Sequence, residues 1–136
     1  MQIRRVLETA LYVDDLVAAE AFYCQVLGLT PLARETGRHC FFRLDRSMLL
    51  LFNPCVTDDA PDSDIPPHGA RGAGHVAFAV ELAEIDGWAT RLAAHGVTIE
   101  RDIHWPGGGR SLFFRDPSGN SLEVATPTLW GLEPGG

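Results

Sequence analysis

The chain follows one structural plan twice, with an offset of 66 to 68 residues between matching landmarks. Glu8 and His75 are 67 residues apart, and Gly28 and Gly96 are 68 apart. Between them each copy has apolar residues at i, i+3, i+4, i+7 and i+8, the spacing of one face of an amphipathic helix. A repeat this long in only two copies indicates a duplicated unit rather than a solenoid. The helical faces are Ala19, Phe22, Tyr23, Val26 and Leu27 in the first copy, and Ile85, Trp88, Ala89, Leu92 and Ala93 in the second.

Each copy predicts a strand, a helix and then three strands. Asp15 is a good N-cap for the first helix, and Gly28 and Gly96 stand where a glycine commonly ends a helix. The sequence therefore predicts an α+β fold of two β–α–β–β–β units. The predicted strands are 6–13, 32–35, 39–44 and 47–53 in the first unit, and 75–80, 97–103, 110–116 and 121–127 in the second.

The domain boundaries follow from the same pattern. We expect a single domain, 1–136, in which the first module spans about 1–55 and the second about 73–127. The segment 56–72 is rich in Pro, Asp and Gly and has no periodicity, which is typical of a linker or long loop. The residues 128–136 form a tail.

The acidic composition limits the partners. Eleven Lys and Arg against 18 Asp and Glu give a net charge of −7, which argues against nucleic acid or an anionic membrane as the main partner. No run of 18 apolar residues occurs, and the first residues do not resemble a signal peptide. A cytoplasmic protein is expected. Its three cysteines form no CxxC pair and are expected to be reduced.

Three ionisable side chains interrupt otherwise apolar strands, namely Glu8, His75 and Glu123. A buried ionised carboxylate is costly unless it is paired or bound to a metal. Each residue alone is more simply a hydrogen-bonded or solvent-facing side chain. Together, at positions related by the repeat, they favour a divalent-metal site with coordination positions left for a substrate.

Three strings carry a family resemblance: LETALYVDDLVAAEAFYCQVLGL, GHVAFAV and RSLFFRDPSGNSLEVATP. They resemble the vicinal oxygen chelate superfamily, which includes glyoxalase I, fosfomycin-resistance thiol transferases, extradiol dioxygenases, methylmalonyl-CoA epimerase and metal-free bleomycin-binding proteins. The resemblance implies two βαβββ modules that form an open, cup-like mixed sheet around a metal, with the helices outside. It also implies a homodimer, in which both chains sometimes complete the cup.

The resemblance assigns ligand positions residue by residue. The family usually has His in the first strand, where this chain has Glu8; His75 and Glu123 match its second and third ligands. The fourth ligand of glyoxalase I corresponds to Leu50, which cannot bind a metal, so the pattern is closer to the three-ligand members. Two carboxylates and one imidazole would neutralise one divalent ion, for which Mn, Mg, Fe, Ni and Zn are candidates.

Substrate contacts are predicted from strand alternation and from the resemblance. Tyr12 shares the face of Glu8, and the resemblance turns Ser111 and Phe113 into the cup. Arg110 lies at its mouth, unless it is a solvated strand-end charge. His104 and Trp105 lie on a Gly-rich loop that is a candidate lid, although Trp105 is equally suited to plain packing. No general acid or base is selected by the spacing.

Two functions of different classes remain open. The first is a metal-dependent enzyme, a lyase, isomerase or thiol transferase, acting on a small molecule that chelates through oxygen. Its reactions include thiol or water addition to an epoxide, isomerisation beside a carbonyl and, less favoured, ring cleavage by O₂. The second is a non-catalytic drug- or metabolite-binding protein of the bleomycin-resistance type, which needs no metal.

Overall fold

The computed structural model describes residues 1–59 and 63–134 and divides the chain into two compact units. The first unit is Met1–Gly74 and the second is His75–Gly136. The predicted linker 56–72 and tail 128–136 lie partly outside the described residues, at 60–62 and 135–136. The single-domain organisation stays a prediction. Within the described residues no helix is both long and apolar enough to cross a membrane.

Each unit contains one four-stranded mixed sheet with the same topology. The strands are β1 (Glu8–Tyr12), β2 (Thr30–Glu35), β3 (His39–Arg43), β4 (Met48–Phe52), β5 (His75–Ala79), β6 (Arg101–His104), β7 (Arg110–Arg115) and β8 (Ser121–Ala125). In the first unit β1 pairs in parallel with β4, and β4, β3 and β2 then pair antiparallel. The second unit has the equivalent order β5-β8-β7-β6. The predicted α+β fold of two β–α–β–β–β modules is confirmed.

The first helix, α1 (Leu16–Gln25), begins and packs as the sequence predicts. The Ala18 N–H donates to the Asp15 carboxylate at 3.0 Å, which satisfies one of the unpaired amides at the helix start. Tyr23 is fully buried, with its ring centroid 5.8 Å from that of Phe42 in β3. The helix therefore covers one face of the first sheet and leaves the opposite face, which carries Glu8, free of it.

The last helix, α3 (Ile85–Ala94), buries a narrower face than its sequence predicts. Ile85 and Leu92 are buried, Trp88 and Ala89 are half-buried, and Ala93 is exposed. A short 3₁₀ turn, Leu82–Glu84, precedes the helix. The apolar face of α3 thus contributes mainly through its two aliphatic residues.

Two segments differ from the sequence prediction. The predicted strand 97–103 begins only at Arg101, because the Val97 N–H donates to the Leu92 carbonyl at the end of α3. The start of the predicted linker instead forms a short helix, α2 (Pro54–Thr57), whose N-cap Asn53 accepts the Cys55 N–H at 3.0 Å. Asn followed by Pro is itself a helix-start signal.

Candidate metal and substrate site

The second unit brings His75 and Glu123 together on one face of its sheet. Strands β5 and β8 are parallel neighbours, and His75 pairs with Ser121, two residues before Glu123. Residues two apart in a strand point to the same face. The His75 Nε2 atom lies 3.3 Å from the Glu123 carboxylate oxygen Oε2. The two side chains therefore lie close together, and their role as two ligands of one ion stays a prediction.

A hydrogen bond to the backbone fixes the orientation of the His75 ring. Its Nδ1 atom lies 2.9 Å from the Ser121 carbonyl oxygen. Because a carbonyl can only accept, Nδ1 carries a proton, so in the neutral ring the lone pair is on Nε2. A metal-bound histidine commonly donates its other ring N–H to a carbonyl or carboxylate. In its neutral form, His75 therefore has Nε2 available to bind a metal.

The spacing of the pair is compatible with two ligands of one shared metal ion. A charge-assisted N–H···O⁻ bond is about 2.7–2.9 Å long, shorter than the observed 3.3 Å. Two donor atoms that each lie about 2.1 Å from one ion are roughly 3.0–3.4 Å apart at octahedral and tetrahedral angles. The Glu123 side chain is only 10% exposed, so a positive partner, either a metal ion or a protonated His75, offsets the cost of its charge.

Glu8 belongs to the first unit, where it is exposed at the start of β1. Over 1–59 and 63–134, the described chain gathers no group of three or more His, Cys, Asp and Glu side chains that could hold a metal. Glu8 as third ligand therefore stays a prediction. The strand registers do confirm that Leu50 in the first unit is equivalent to Glu123 in the second. Leu50 pairs with Ala10 in the same way as Glu123 pairs with Ala77.

Phe113 and Ser111 lie in β7 on the face of Glu123. Phe113 pairs with Glu123. Its ring is stacked with the His75 ring, with the centroids 6.3 Å apart and the planes at 17°. Ser111 is fully buried, and its hydroxyl accepts the Trp105 indole N–H at 2.8 Å. Phe113 is thus placed beside the candidate ligands, whereas the Ser111 hydroxyl is already engaged by Trp105.

The Gly-rich loop that carries His104 and Trp105 is a tight turn between β6 and β7. Trp105 N–H donates to the Gly109 carbonyl, and Gly108 N–H donates to the Trp105 carbonyl, both at 3.0 Å. Gly109 has φ +93°, and a Cβ there would lie 2.8 Å from the Leu129 nitrogen. These contacts fix the turn, so they do not favour a lid. The His104 side chain is 75% exposed.

Arg110 is engaged in ion pairs within the second unit. Its guanidinium donates twice to the Asp102 carboxylate, at 2.8 Å each, and once to Asp86. Hydrogen bonding to both carboxylates raises the pKa of Arg110, and the bond from Arg110 lowers the pKa of Asp102. The geometry favours a role in joining β7 to β6 and α3 over the predicted contact with substrate.

Tyr12 lies at the far end of β1 from Glu8, on the same face. Its hydroxyl is hydrogen-bonded to Nδ1 of His68 at 2.7 Å, and burial raises the pKa of the Tyr12 phenol. His68 comes from the predicted linker, and its backbone N–H donates to the Thr57 carbonyl at 3.0 Å. The linker therefore folds back onto the first sheet at this point.

A comparison with family models decides the relationship of this chain. Residues 5–124 match the Glyoxalase/Bleomycin resistance protein/Dioxygenase superfamily. The chain belongs to this superfamily. The vicinal oxygen chelate resemblance of its three sequence strings is thereby confirmed.

Several glyoxalase-superfamily proteins are similar to this chain over much of its length. A solved structure, described as lactoylglutathione lyase from Agrobacterium tumefaciens, is 46% identical, with a TM-score of 0.93 over 97% of this chain and 100% of that one. Glutathione transferase FosA from Serratia marcescens is 32% identical over 88% of this chain and 78% of FosA. Metallothiol transferase FosB from Shouchella clausii is 41% identical, but over only 40% of this chain and 39% of FosB.

Sequence reasoning about this superfamily member missed a second group of side chains, in the first unit. Arg38, His39 and Phe41 gather with Phe52 next to the Tyr12–His68 pair. The alternation of His39 and Phe41 in β3 is a signal that places both on one face. The contribution of His68 has no such signal, because it depends on how the linker folds back.

Proposed function

We propose that this protein is a metal-dependent enzyme whose small-molecule substrate chelates a divalent ion through oxygen. The observation that supports the proposal is the pair of His75 and Glu123, in which the His75 Nε2 atom lies 3.3 Å from an oxygen of a mostly buried carboxylate. Glu8 is the proposed third ligand. Such an ion supplies a Lewis acid that polarises a substrate oxygen or stabilises a developing oxyanion.

The remaining residues around the pair have roles that follow from their contacts. The Ser121 carbonyl holds the His75 ring in its metal-binding tautomer. The Phe113 ring lies nearly parallel to that ring, with the two centroids 6.3 Å apart. On the same face of β5, Ala77 and Ala79 are small and exposed, which leaves room for a substrate next to His75.

The similar proteins indicate which reactions to test first. The names of all three reported relatives refer to glutathione or to a thiol. We therefore propose thiol addition to an epoxide, or isomerisation of a thiol adduct beside a carbonyl, as the leading reaction classes. Ring cleavage by O₂ ranks last, because iron–oxygen chemistry usually uses two His and one carboxylate, and this set has two carboxylates.

Metal loading tests the proposal directly. Protein stripped with a chelator is soaked with Mn, Mg, Fe, Ni or Zn, and its metal content and turnover of both substrate classes are measured. We expect one ion per site and turnover that depends on it. Protein that retains none of these ions would contradict the enzyme proposal, and would favour the alternative of a drug- or metabolite-binding protein, which needs none.

A separate experiment tests whether Glu8 comes from the same chain as His75 or from the second chain of the proposed homodimer. Glu8→Ala and His75→Ala proteins are each expected to lose stoichiometric metal. If Glu8 of one chain completes the site of a second copy, unfolding and refolding the two variants together restores part of the metal content, because half the sites of a mixed dimer keep all three ligands. If each chain builds its own site, the mixture stays as deficient as its components.

A further inference from the structure

The first unit differs from the second in what it carries at equivalent positions of the same face. In β3 and β4, His39 pairs with Phe52 and Phe41 pairs with Leu50. In β7 and β8 the equivalent pairs are Ser111 with Ala125 and Phe113 with Glu123. The second unit therefore has the small Ser111 and Ala125 where the first has the rings of His39 and Phe52. Both units have a phenylalanine at the position of Phe41, and Glu123 stands where the first unit has Leu50. Of the two sheets, the first is thus suited to contact an apolar, planar group.

The rings of the first unit form one connected group, which we call the aromatic cluster: Tyr12, His39, Phe41, Phe52 and His68. His39 stacks on Phe41 with centroids 4.1 Å apart and planes at 14°. Phe52 meets the Phe41 ring edge-on at 5.3 Å and the His68 ring at 4.7 Å. Both stacked and edge-on faces are favourable contacts for a further ring.

Polar groups are attached to the rim of the aromatic cluster. Arg38 Nη1 donates to His39 Nδ1 at 2.6 Å, and the guanidinium carbon lies 5.8 Å from the Phe52 centroid. Arginine has no acceptor, so Nδ1 of His39 is unprotonated and Nε2 carries the proton. Burial and the nearby Arg38 charge lower the pKa of His39, so at neutral pH the ring is an uncharged donor.

The cluster is buried at Phe52 and half-buried at its other rings. Phe52 is 6% exposed, whereas the side chains of His39 and Arg38 are 15% and 22% exposed. Along β1, Tyr12 is four residues from Glu8, or about 13 Å at roughly 3.3 Å per residue. Phe41 in β3 pairs with Leu50 in β4, and Leu50 pairs with Ala10 in β1. Ala10 is two residues from Glu8, or about 7 Å along the strand.

We propose that the aromatic cluster is a substrate subsite for a planar aromatic group that bears a hydrogen-bond acceptor, held about 7–13 Å along the strand from Glu8. Phe41 and Phe52 contact the ring, and Arg38 and the His39 Nε2–H donate to the acceptor. The subsite rests on the proposed function and deepens it, since it names the class of substrate whose other end would reach Glu8, the proposed third ligand.

Metal-free protein separates this proposal from the metal-site proposal. Phenylacetate and cyclohexylacetate have the same charge and similar size, but only the first is planar and aromatic. Their binding to chelator-treated protein is measured by NMR titration. We expect phenylacetate to bind about 5-fold more tightly, as aromatic contacts predict, with shifts confined to the first unit. Failure of the protein to bind any metal would leave this result unaffected.

Variants assign the binding to the cluster. Phe41→Ala is expected to remove the preference for phenylacetate, and Phe41→Leu does the same while keeping the position filled should the alanine variant unfold. Arg38→Gln is expected to weaken both ligands, and Arg46→Gln, in the exposed β3–β4 turn, serves as the matched control. Equal affinity for both ligands, no binding of either, or a preference that survives in a folded Phe41 variant would overturn the proposal.

Discussion

Glu123→Gln is expected to weaken metal binding by more than about 100-fold, since loss of even an outer-shell partner costs about 10–100-fold. Glutamine has the same size as glutamate but lacks its negative charge, so the substitution removes the anionic ligand beside His75 without opening a cavity. The affinity of chelator-treated wild type and variant for the best-retained ion, measured by competition with a chelator of known affinity, checks the prediction.

In the absence of metal, by contrast, we expect the same substitution to have little effect on the free energy of unfolding. A carboxylate that is only 7% exposed as a residue costs free energy to bury, and an amide removes that charge. The free energy of unfolding of metal-free Glu123→Gln should therefore lie within about 1 kcal/mol of the wild-type value. Glu133→Gln, at an exposed position, controls for the general effect of one lost charge. Unchanged metal affinity in a folded Glu123→Gln protein would remove Glu123 from the site.

Leu92→Ala is expected to reduce the free energy of unfolding of the second unit by about 2–5 kcal/mol, the range for a buried leucine that leaves a cavity. The Leu92 side chain is fully buried in α3, the helix that packs against β8. All three tryptophans, Trp88, Trp105 and Trp130, lie in the second unit. Urea unfolding followed by tryptophan fluorescence of metal-free protein therefore reports on the unit that carries the change.

A matched control lies ten residues earlier in the same unit. Leu82 is 64% exposed in the 3₁₀ turn before α3, so Leu82→Ala should change the free energy of unfolding by no more than about 0.5 kcal/mol. Similar losses in both variants would mean that the burial of Leu92 is not what anchors the helix. Because both substitutions replace leucine by alanine in the same unit, the comparison separates the burial of Leu92 from the general effect of losing a leucine side chain.

The architecture of each unit could be predicted because its signals are local. The Asp15 cap and the apolar spacing around Tyr23 act within one or two helical turns, and Gly28 and Gly96 adopt φ values of 69° and 71°. Boundaries were less predictable. Val97 has the β-branched side chain of a strand residue, but its N–H closes the end of α3, a choice that depends on the neighbouring helix.

The candidate site divides in the same way between sequence and tertiary structure. The sequence by itself determined that His75 and Glu123 are unusual in apolar strands, and the repeat related His75 to Glu8 and Glu123 to Leu50. Only the tertiary structure decided which nitrogen of His75 faces Glu123, because the Ser121 carbonyl that fixes the ring lies 46 residues away. It also decided that Arg110 is held by Asp102 and Asp86, and that His68 joins Tyr12 across 56 residues. Spacing along a chain sets periodicity and caps, whereas ion pairs and ring contacts depend on which distant segments meet.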